Sequence, residues 1–348
     1  MTQRQKTQQE TDTFYMRRAL QLAANGRGHV SPNPMVGALI VAPDGRVIGE
    51  GWHRRYGEPH AEVNAVRAVS ETDRHLLGKS TIYVTLEPCS HYGKTPPCAK
   101  LLVDIGIGRV VVAAGDPNPR VSGRGIEMLR HAGIPVVTGV LAAESEALNK
   151  TFMTAHSQRR PFVTLKWARS ADGYMDCRRR PGEPAARFST PRTSQLVHMR
   201  RACHDAIAVG ARTVLADNPR LDVRLIEGRS PRPVIFDRHG LVPADHPLLA
   251  DPRDTIHIDD GAPLADVLAM LYADYGISSL LVEGGAALLA EFIAAGLWDE
   301  AYEEVSPDSL GGEGAVPSPQ MTDFKLNSIR TLDGSELKTY KCTPKVRF

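Results

Sequence analysis

The chain has 348 residues, 42% apolar and 24% charged, with 42 Lys and Arg against 40 Asp and Glu for a formal net charge of +2. This length fits two domains of ordinary size, each able to bury a core. So small an imbalance supplies no basic field for nucleic acid, and no apolar run approaches the roughly 18 residues of a membrane span. Residues 1–10 read as a polar, Gln-rich tail without the apolar centre of a signal peptide. Five cysteines are scattered without a pairing scheme, which points to reduced thiols in a cytoplasmic protein.

Residues 12–25 carry Phe14, Ala19, Leu22 and Ala23 at helical spacing, with Asp12 as candidate N-cap. Met35 to Val41 reads as a strand, Pro43-Asp44-Gly45 as a hairpin turn, and Val47 to Trp52 as the returning strand. A helix is expected from Pro59, with His60 and Glu62 in its first turn. Thr81 to Leu86 reads as a strand running into a cysteine-bearing loop. Strands at Arg109–Ala114 and Pro135–Thr138 flank a helix over Gly123–Gly133. His75 and His131, in polar helical context, read as surface residues.

The boundary of this first domain is expected at residue 147, followed by a linker over 148–160 and a second domain over 161–348. Pro161 to Ala168 alternates apolar and polar residues before the turn Ser170-Ala171-Asp172-Gly173. Helices are expected near Thr190–Ala202, Leu264–Tyr275 and Ala286–Gly296, and buried strands at Ala206–Gly210, Arg232–Phe236 and Ser279–Val282. Both halves therefore read as α/β.

The chemistry of the first half lies in His60-Ala61-Glu62 and in Glu87-Pro88-Cys89 followed by Cys98. One imidazole and two thiolates leave a fourth position open on a tetrahedral zinc, as a catalytic site requires. Metal binding lowers the pKa of water from about 15.7 to roughly 7, so a nucleophile is available at neutral pH. Glu62, not itself a ligand, is placed to shuttle protons to a departing nitrogen. This H-x-E…P-C…C order resembles zinc-dependent nucleobase deaminases. Pro97 suits a helix start at Cys98, whose dipole would help stabilise a thiolate.

Deaminases of that kind usually space the cysteines C-x-x-C, whereas here eight residues separate them. The segment Cys89-Ser90-His91-Tyr92-Gly93-Lys94-Thr95-Pro96-Pro97-Cys98 resembles the bifunctional riboflavin biosynthesis deaminase–reductase family. In the second half, Leu281-Val282-Glu283-Gly284-Gly285-Ala286 is a strand entering Gly-Gly and then a helix, whose first amides can cradle a pyrophosphate. Together with Thr213 to Arg224 it resembles the reductase half of the same family, which has a dihydrofolate-reductase-like fold and uses NADPH. No G-x-G-x-x-G fingerprint is present.

The resemblance covers the chain from about residue 12 onward. It implies an N-terminal cytidine-deaminase-like three-layer α/β/α domain and a C-terminal dihydrofolate-reductase-like α/β domain, forming a homo-oligomer. It implies one Zn2+ per chain on His60, Cys89 and Cys98, with Glu62 catalytic. Asn33, His53, His91, Lys94 and Asn118 are implied on the substrate of the first domain, and Arg201, Leu221, Arg224 and Glu283 on that of the second. Ala168, Thr213, Asp217, Gly285, Ala286 and Ala287 fall to NADPH, with Arg238 at its 2′-phosphate. The implied substrate is a small phosphorylated aminopyrimidine.

This chain departs from the family pattern at Ala171, Ala185 and Arg187, and in the basic run Arg178-Arg179-Arg180. Those departures motivate a rival reading, an active deaminase whose second domain only binds or oligomerises. An editor of nucleic-acid bases would need aromatic stacking platforms, yet aromatics are 6% of the chain.

Overall fold

The computed structural model describes residues 7–90, 96–118, 122–180, 183–321 and 324–343. The chain divides into two units, Met1–Gln158 and Arg159–Phe348. No helix of the described residues is long and apolar enough to cross a membrane.

The first unit contains α1 (Gln8–Ala24), β1 (Gly37–Val41), β2 (Val47–Trp52), α2 (Ala61–Arg67), β3 (Thr81–Leu86), α3 (Cys98–Asp104), β4 (Arg109–Ala114), α4 (Arg124–His131), β5 (Val136–Thr138), α5 (Ala142–Leu148) and α6 (Lys150–Gln158). Its sheet runs β2-β1-β3-β4-β5, with β1 antiparallel to β2 and β3 and the last three strands parallel. The central strands are apolar on both faces, as strands covered by helices must be. Ile40, Ile82 and Val112 pack towards α2 and α3, while Leu39, Tyr83 and Val111 pack towards α1. This is the three-layer arrangement that the resemblance implies.

Small residues decide how closely the helices approach that sheet. A Cβ at Gly37 would lie 2.1 Å from the Ala19 carbonyl oxygen of α1, and one at Gly51 would lie 2.3 Å from the Ala65 nitrogen of α2. The backbone of α2 therefore lies directly on β2. Asn64 Nδ2 secures it by donating to the carbonyls of Trp52 (2.9 Å) and Pro59 (3.1 Å).

Two expectations are corrected here. Thr7, not Asp12, caps α1, in a capping box with Glu10. Asp12 is buried within the helix, where both oxygens accept from Arg109 (2.8 and 2.7 Å) and Oδ1 also from Tyr83 (3.0 Å). Burial pushes its carboxyl up, but the bonds from Arg109, Gln8 and Tyr83 outweigh that and hold it below the ordinary value. Residues 150–158, expected in a linker, form α6 instead. Its Phe152 packs against Leu86 and Ala114, and Asn149 before it bonds both backbone groups of Met35.

The second unit contains β6 (Phe162–Arg169), β7 (Tyr174–Cys177), α7 (Pro191–Ala202), β8 (Ala206–Gly210), α8 (Ala211–Asp217), β9 (Arg232–Phe236), β10 (Ile256–Ile258), α9 (Leu264–Ala273), β11 (Ser279–Gly284), α10 (Ala286–Ala295), β12 (Glu300–Val305), β13 (Gly314–Pro317), β14 (Phe324–Leu332) and β15 (Ser335–Cys342). Its main sheet runs β10-β9-β8-β11-β6-β12-β15-β14. The first six strands are parallel, and β15 and β14 close the edge as an antiparallel hairpin. Leu165, Val282 and Ala208 face α9 and α10, while Ile207, Ile235 and Leu281 face α8. A parallel sheet covered on both faces places its loops and helix starts at the strands' carboxyl ends, where ligands bind in open α/β sheets.

Candidate functional site

His60 is the N-cap of α2, one residue ahead of its expected place inside the helix, and Glu62 lies in the first turn. Cys98 opens α3 behind Pro97, as the sequence suggests. The Cys98 N–H donates to Cys89 Sγ at 3.3 Å, so the helix start supports the other thiol of the pair. His60 Nδ1 lies 3.6 Å from Cys89 Sγ and 3.3 Å from Cys98 Sγ. A tetrahedral zinc with Zn–S near 2.3 Å and Zn–N near 2.0–2.1 Å would place sulfur and nitrogen about 3.6 Å apart. The ligand atoms of His60, Cys89 and Cys98 all lie within 4.8 Å of one another, the only such metal-capable cluster among the described residues. These residues fit the metal.

The electrostatics agree. The hydrogen bond from Cys98, then His60, holds the Cys89 thiol down to about 4, while that bond and burial push Cys98 up. The pair thus favours a thiolate at Cys89, and metal binding requires both cysteines to be deprotonated. Glu62 is 3% exposed. Burial first, and the neighbouring Cys89 charge second, push its carboxyl up to about 7. A group poised there can take and return a proton at neutral pH.

Asn33 and His53 meet beside this centre. His53 Nδ1 donates to the Pro59 carbonyl at 3.2 Å, which leaves Nε2 to accept from Asn33 Nδ2 at 3.1 Å. At 2% exposure, and with burial lowering its pKa, His53 is a neutral ring with both nitrogens engaged. Its hydrogen bonds fix the Asn33 amide, whose oxygen is turned away from the ring. Asn118 lies in the loop after β4, its N–H held by Asp116 Oδ1 at 2.8 Å. His91 and Lys94 lie outside the described residues.

In the second unit a cavity of about 690 Å³ is lined by Thr213, Asp217, Arg238, Glu283, Gly285, Ala286 and Ala287, among others. Gly285 caps α10, whose first amides have no partner within the helix. A Cβ at Gly285 would lie 2.9 Å from Thr213 Oγ1, so the glycine leaves room for a close approach. Gly284 adopts φ +124°, which side-chain-bearing residues rarely reach. A cavity of this size with a glycine-opened helix start fits a dinucleotide such as NADPH.

The other expected residues divide. Glu283 accepts from Arg201 through both oxygens, at 2.9 and 2.6 Å, and both side chains are largely buried. Burial pushes Glu283 up, but the Arg201 charge and bonds prevail and hold it down, so it stays an acceptor. Arg224 is half exposed and donates to Asp222 through Nη1. Asp217 pairs with Arg179 at 2.8 Å, and Arg238 with Glu291 at 2.5 Å.

The Leu221 side chain is 2% exposed and packs with Ile207, Val214 and Ile235, which leaves its backbone for the expected substrate contact. Ala168 lies on β6 opposite Glu304 and is not among the residues lining the cavity.

Sequence reasoning passed over Lys166 and Glu87. Burial pushes Lys166 down, while the charges of Glu283 and Glu304 pull it back. A lysine inside the apolar run Phe162–Trp167 was the available signal. Glu87 is buried at 5% exposure and turned onto backbone amides.

Comparison with known proteins agrees with both halves. Residues 9–114 match the family described as cytidine and deoxycytidylate deaminase zinc-binding region, and residues 161–338 match the RibD C-terminal domain. The chain is 39% identical over 328 residues to riboflavin biosynthesis protein RibD of Bacillus amyloliquefaciens, covering 86% of each. It is 37% identical to RibD of Escherichia coli K12, covering 92% of this chain and 96% of that one. The solved RibD of Acinetobacter baumannii superposes with TM-score 0.87 at 34% identity, covering 97% of this chain and all of that one. The Thermotoga maritima diaminohydroxyphosphoribosylaminopyrimidine deaminase/5-amino-6-(5-phosphoribosylamino)uracil reductase gives 0.85 at 35% identity, with the same coverage. Two halves with a metal-capable triad in one and a glycine-opened cavity in the other, related along nearly their whole length to such proteins, place this chain in the RibD family of bifunctional riboflavin biosynthesis deaminase–reductases.

Proposed function

We propose that the first unit removes an amino group from 2,5-diamino-6-ribosylamino-4(3H)-pyrimidinone 5′-phosphate by hydrolysis, and that the second reduces the ribosyl side chain of the product to ribityl with NADPH. The observation that carries this reading is the His60–Cys89–Cys98 triad beside a buried Glu62, in a chain whose second unit holds a cavity opened by Gly285. Bound zinc supplies a nucleophile at neutral pH by lowering the pKa of water to about 7. Glu62 takes the proton released on that side and gives it to the departing ammonia. The Asn33 amide, oriented by His53, holds the pyrimidine or its ribose, and Asn118 in the loop after β4 contributes a second amide.

In the second unit, Glu283 accepts from hydroxyl groups of the substrate while Arg201 keeps it ionised. Arg224, which spends Nη1 on Asp222, offers its remaining N–H groups to the phosphate. The first turn of α10 receives the cofactor's pyrophosphate beside Thr213. Hydride transfer is the cofactor's chemistry, and these residues contribute orientation. The departures at Ala185 and Arg179 border the same cavity, and Arg179 is held by Asp176 and Asp217. The comparisons extend through the reductase half, which favours a working reductase over a domain that only binds or assembles.

The metal assignment is tested by Cys89→Ser. The wild-type chain is expected to carry about one zinc, and the variant to lose most of it together with ammonia release. NADPH binding, measured by titration, is expected to survive. Full zinc in the variant by metal analysis would remove Cys89 from the ligand set.

A further inference from the structure

Glu87 stands two residues before Cys89 and has no part in the roles above, yet its carboxylate joins two segments of the deaminase site. Oε1 accepts from the backbone N–H of Gly125 (3.0 Å) and Ile126 (3.4 Å). Oε2 accepts from Gly123 (2.9 Å) and Asp116 (3.5 Å). Gly123, Gly125 and Ile126 form the start of α4, and Asp116 begins the loop that carries Asn118. The Glu87 N–H itself donates to the Ala114 carbonyl at 2.9 Å, at the end of β4.

A second contact ties the same pieces together. A Cβ on Gly125 would lie 1.9 Å from the carbonyl oxygen of Pro88, the residue between Glu87 and Cys89. The start of α4 therefore packs backbone against backbone on the turn that presents the cysteine ligand. A buried carboxylate could serve stability alone, and it would then be indifferent to where Asn118 sits. Here both oxygens bond the start of α4 and Oε2 also reaches the Asp116 N–H, so one carboxylate ties the turn before Cys89 to both segments. Hydrogen bonds accepted by a carboxylate are about twice as strong as neutral ones, and the two nearest here are 2.9 and 3.0 Å.

We propose that Glu87 is a positioning residue of the deaminase, holding the Asp116–Asn118 loop in register with the Cys89 turn so that substrate binding depends on it. The inference rests on the deaminase reading given above. Glutamine keeps the size of the side chain but turns an NH2 group towards N–H donors, so one side of the joint opens. For Glu87→Gln, KM for the phosphorylated aminopyrimidine is expected to rise about tenfold while kcat stays within about threefold. Zinc is expected to remain at about one per chain. Reductase turnover on already deaminated substrate is expected to be unchanged.

Glu87→Asp keeps the charge with a shorter reach and is expected to fall between wild type and Glu87→Gln. It carries the same test where the glutamine variant does not fold. Gly125→Ala strains the same joint while leaving Glu87 unsubstituted, because its Cβ would meet the Pro88 carbonyl and lie 3.3 Å from Glu87 Oε1, and it is expected to raise the same KM. Unchanged KM in the folded variants would overturn the inference. So would zinc loss in proportion to activity, which would make Glu87 a support of the ligand set. A wild-type chain that releases no ammonia from the aminopyrimidine would overturn the deaminase reading and this inference with it.

Discussion

Glu62→Gln is expected to keep the fold and about one zinc per chain while slowing ammonia release by about 10²–10⁴-fold, the usual contribution of a positioned acid–base group. Glutamine preserves the shape and hydrogen bonding of the side chain but cannot exchange a proton. The wild-type carboxyl is suited to exchange because of its surroundings. At 3% exposure it is desolvated, and the adjacent Cys89 charge opposes its ionisation, so its pKa is pushed up to about 7. Near neutral pH both protonation states are then populated, and one group can accept a proton and later donate it. The comparison is of kcat for purified wild type and variant with metal content measured on the same samples. Activity within a few-fold of wild type would place the proton transfer on another group.

Gly285→Val is expected to weaken NADPH binding by about 10–100-fold, the equivalent of the 1–3 kcal/mol by which overpacking typically destabilises a filled site. The first added carbon would already lie 2.9 Å from Thr213 Oγ1, and the branch of valine would project further into the cavity. The first amides of α10 would then be shielded from a pyrophosphate. Zinc content and deamination are expected to be unaffected, because the substitution lies in the other unit. Titration of NADPH against both proteins reads the effect. Equal affinity would move the pyrophosphate away from α10.

The metal centre was legible because its residues sit in two short motifs at the edges of elements. His60 precedes a helix that Gly49 and Gly51 admit onto the sheet, and Cys98 follows the proline that starts another. What escaped was set by partners distant in sequence. Asp12 looks like a helix cap until Arg109, 97 residues away, is seen to claim both its oxygens. His53 reads as a substrate contact, and nothing local in the sequence shows that its nitrogens are shared between Asn33 and Pro59.

The same limit explains the missed elements. In α6 only Phe152 and Ala155 are buried, and the partners of Phe152, Leu86 and Ala114, are remote, so the stretch resembles a polar linker. β14 is largely exposed and its hairpin with β15 lacks a clear apolar alternation; pairing of β15 with β12 supplies its register. Leu221, placed on the substrate by resemblance, has its side chain in a core whose members are spread from Ile207 to Leu281, which no local pattern shows.

The central claim, one chain that deaminates and then reduces, is tested most directly by incubating purified wild-type protein with the phosphorylated diaminopyrimidine, with and without NADPH, while following ammonia and NADPH together. Ammonia is expected to appear in both samples, and NADPH to be consumed only after deaminated product has formed, one equivalent for each molecule reduced. Ammonia release with no NADPH oxidation at millimolar cofactor would contradict the account by leaving a deaminase with an inactive partner domain. NADPH oxidation without ammonia release would contradict it at the zinc site.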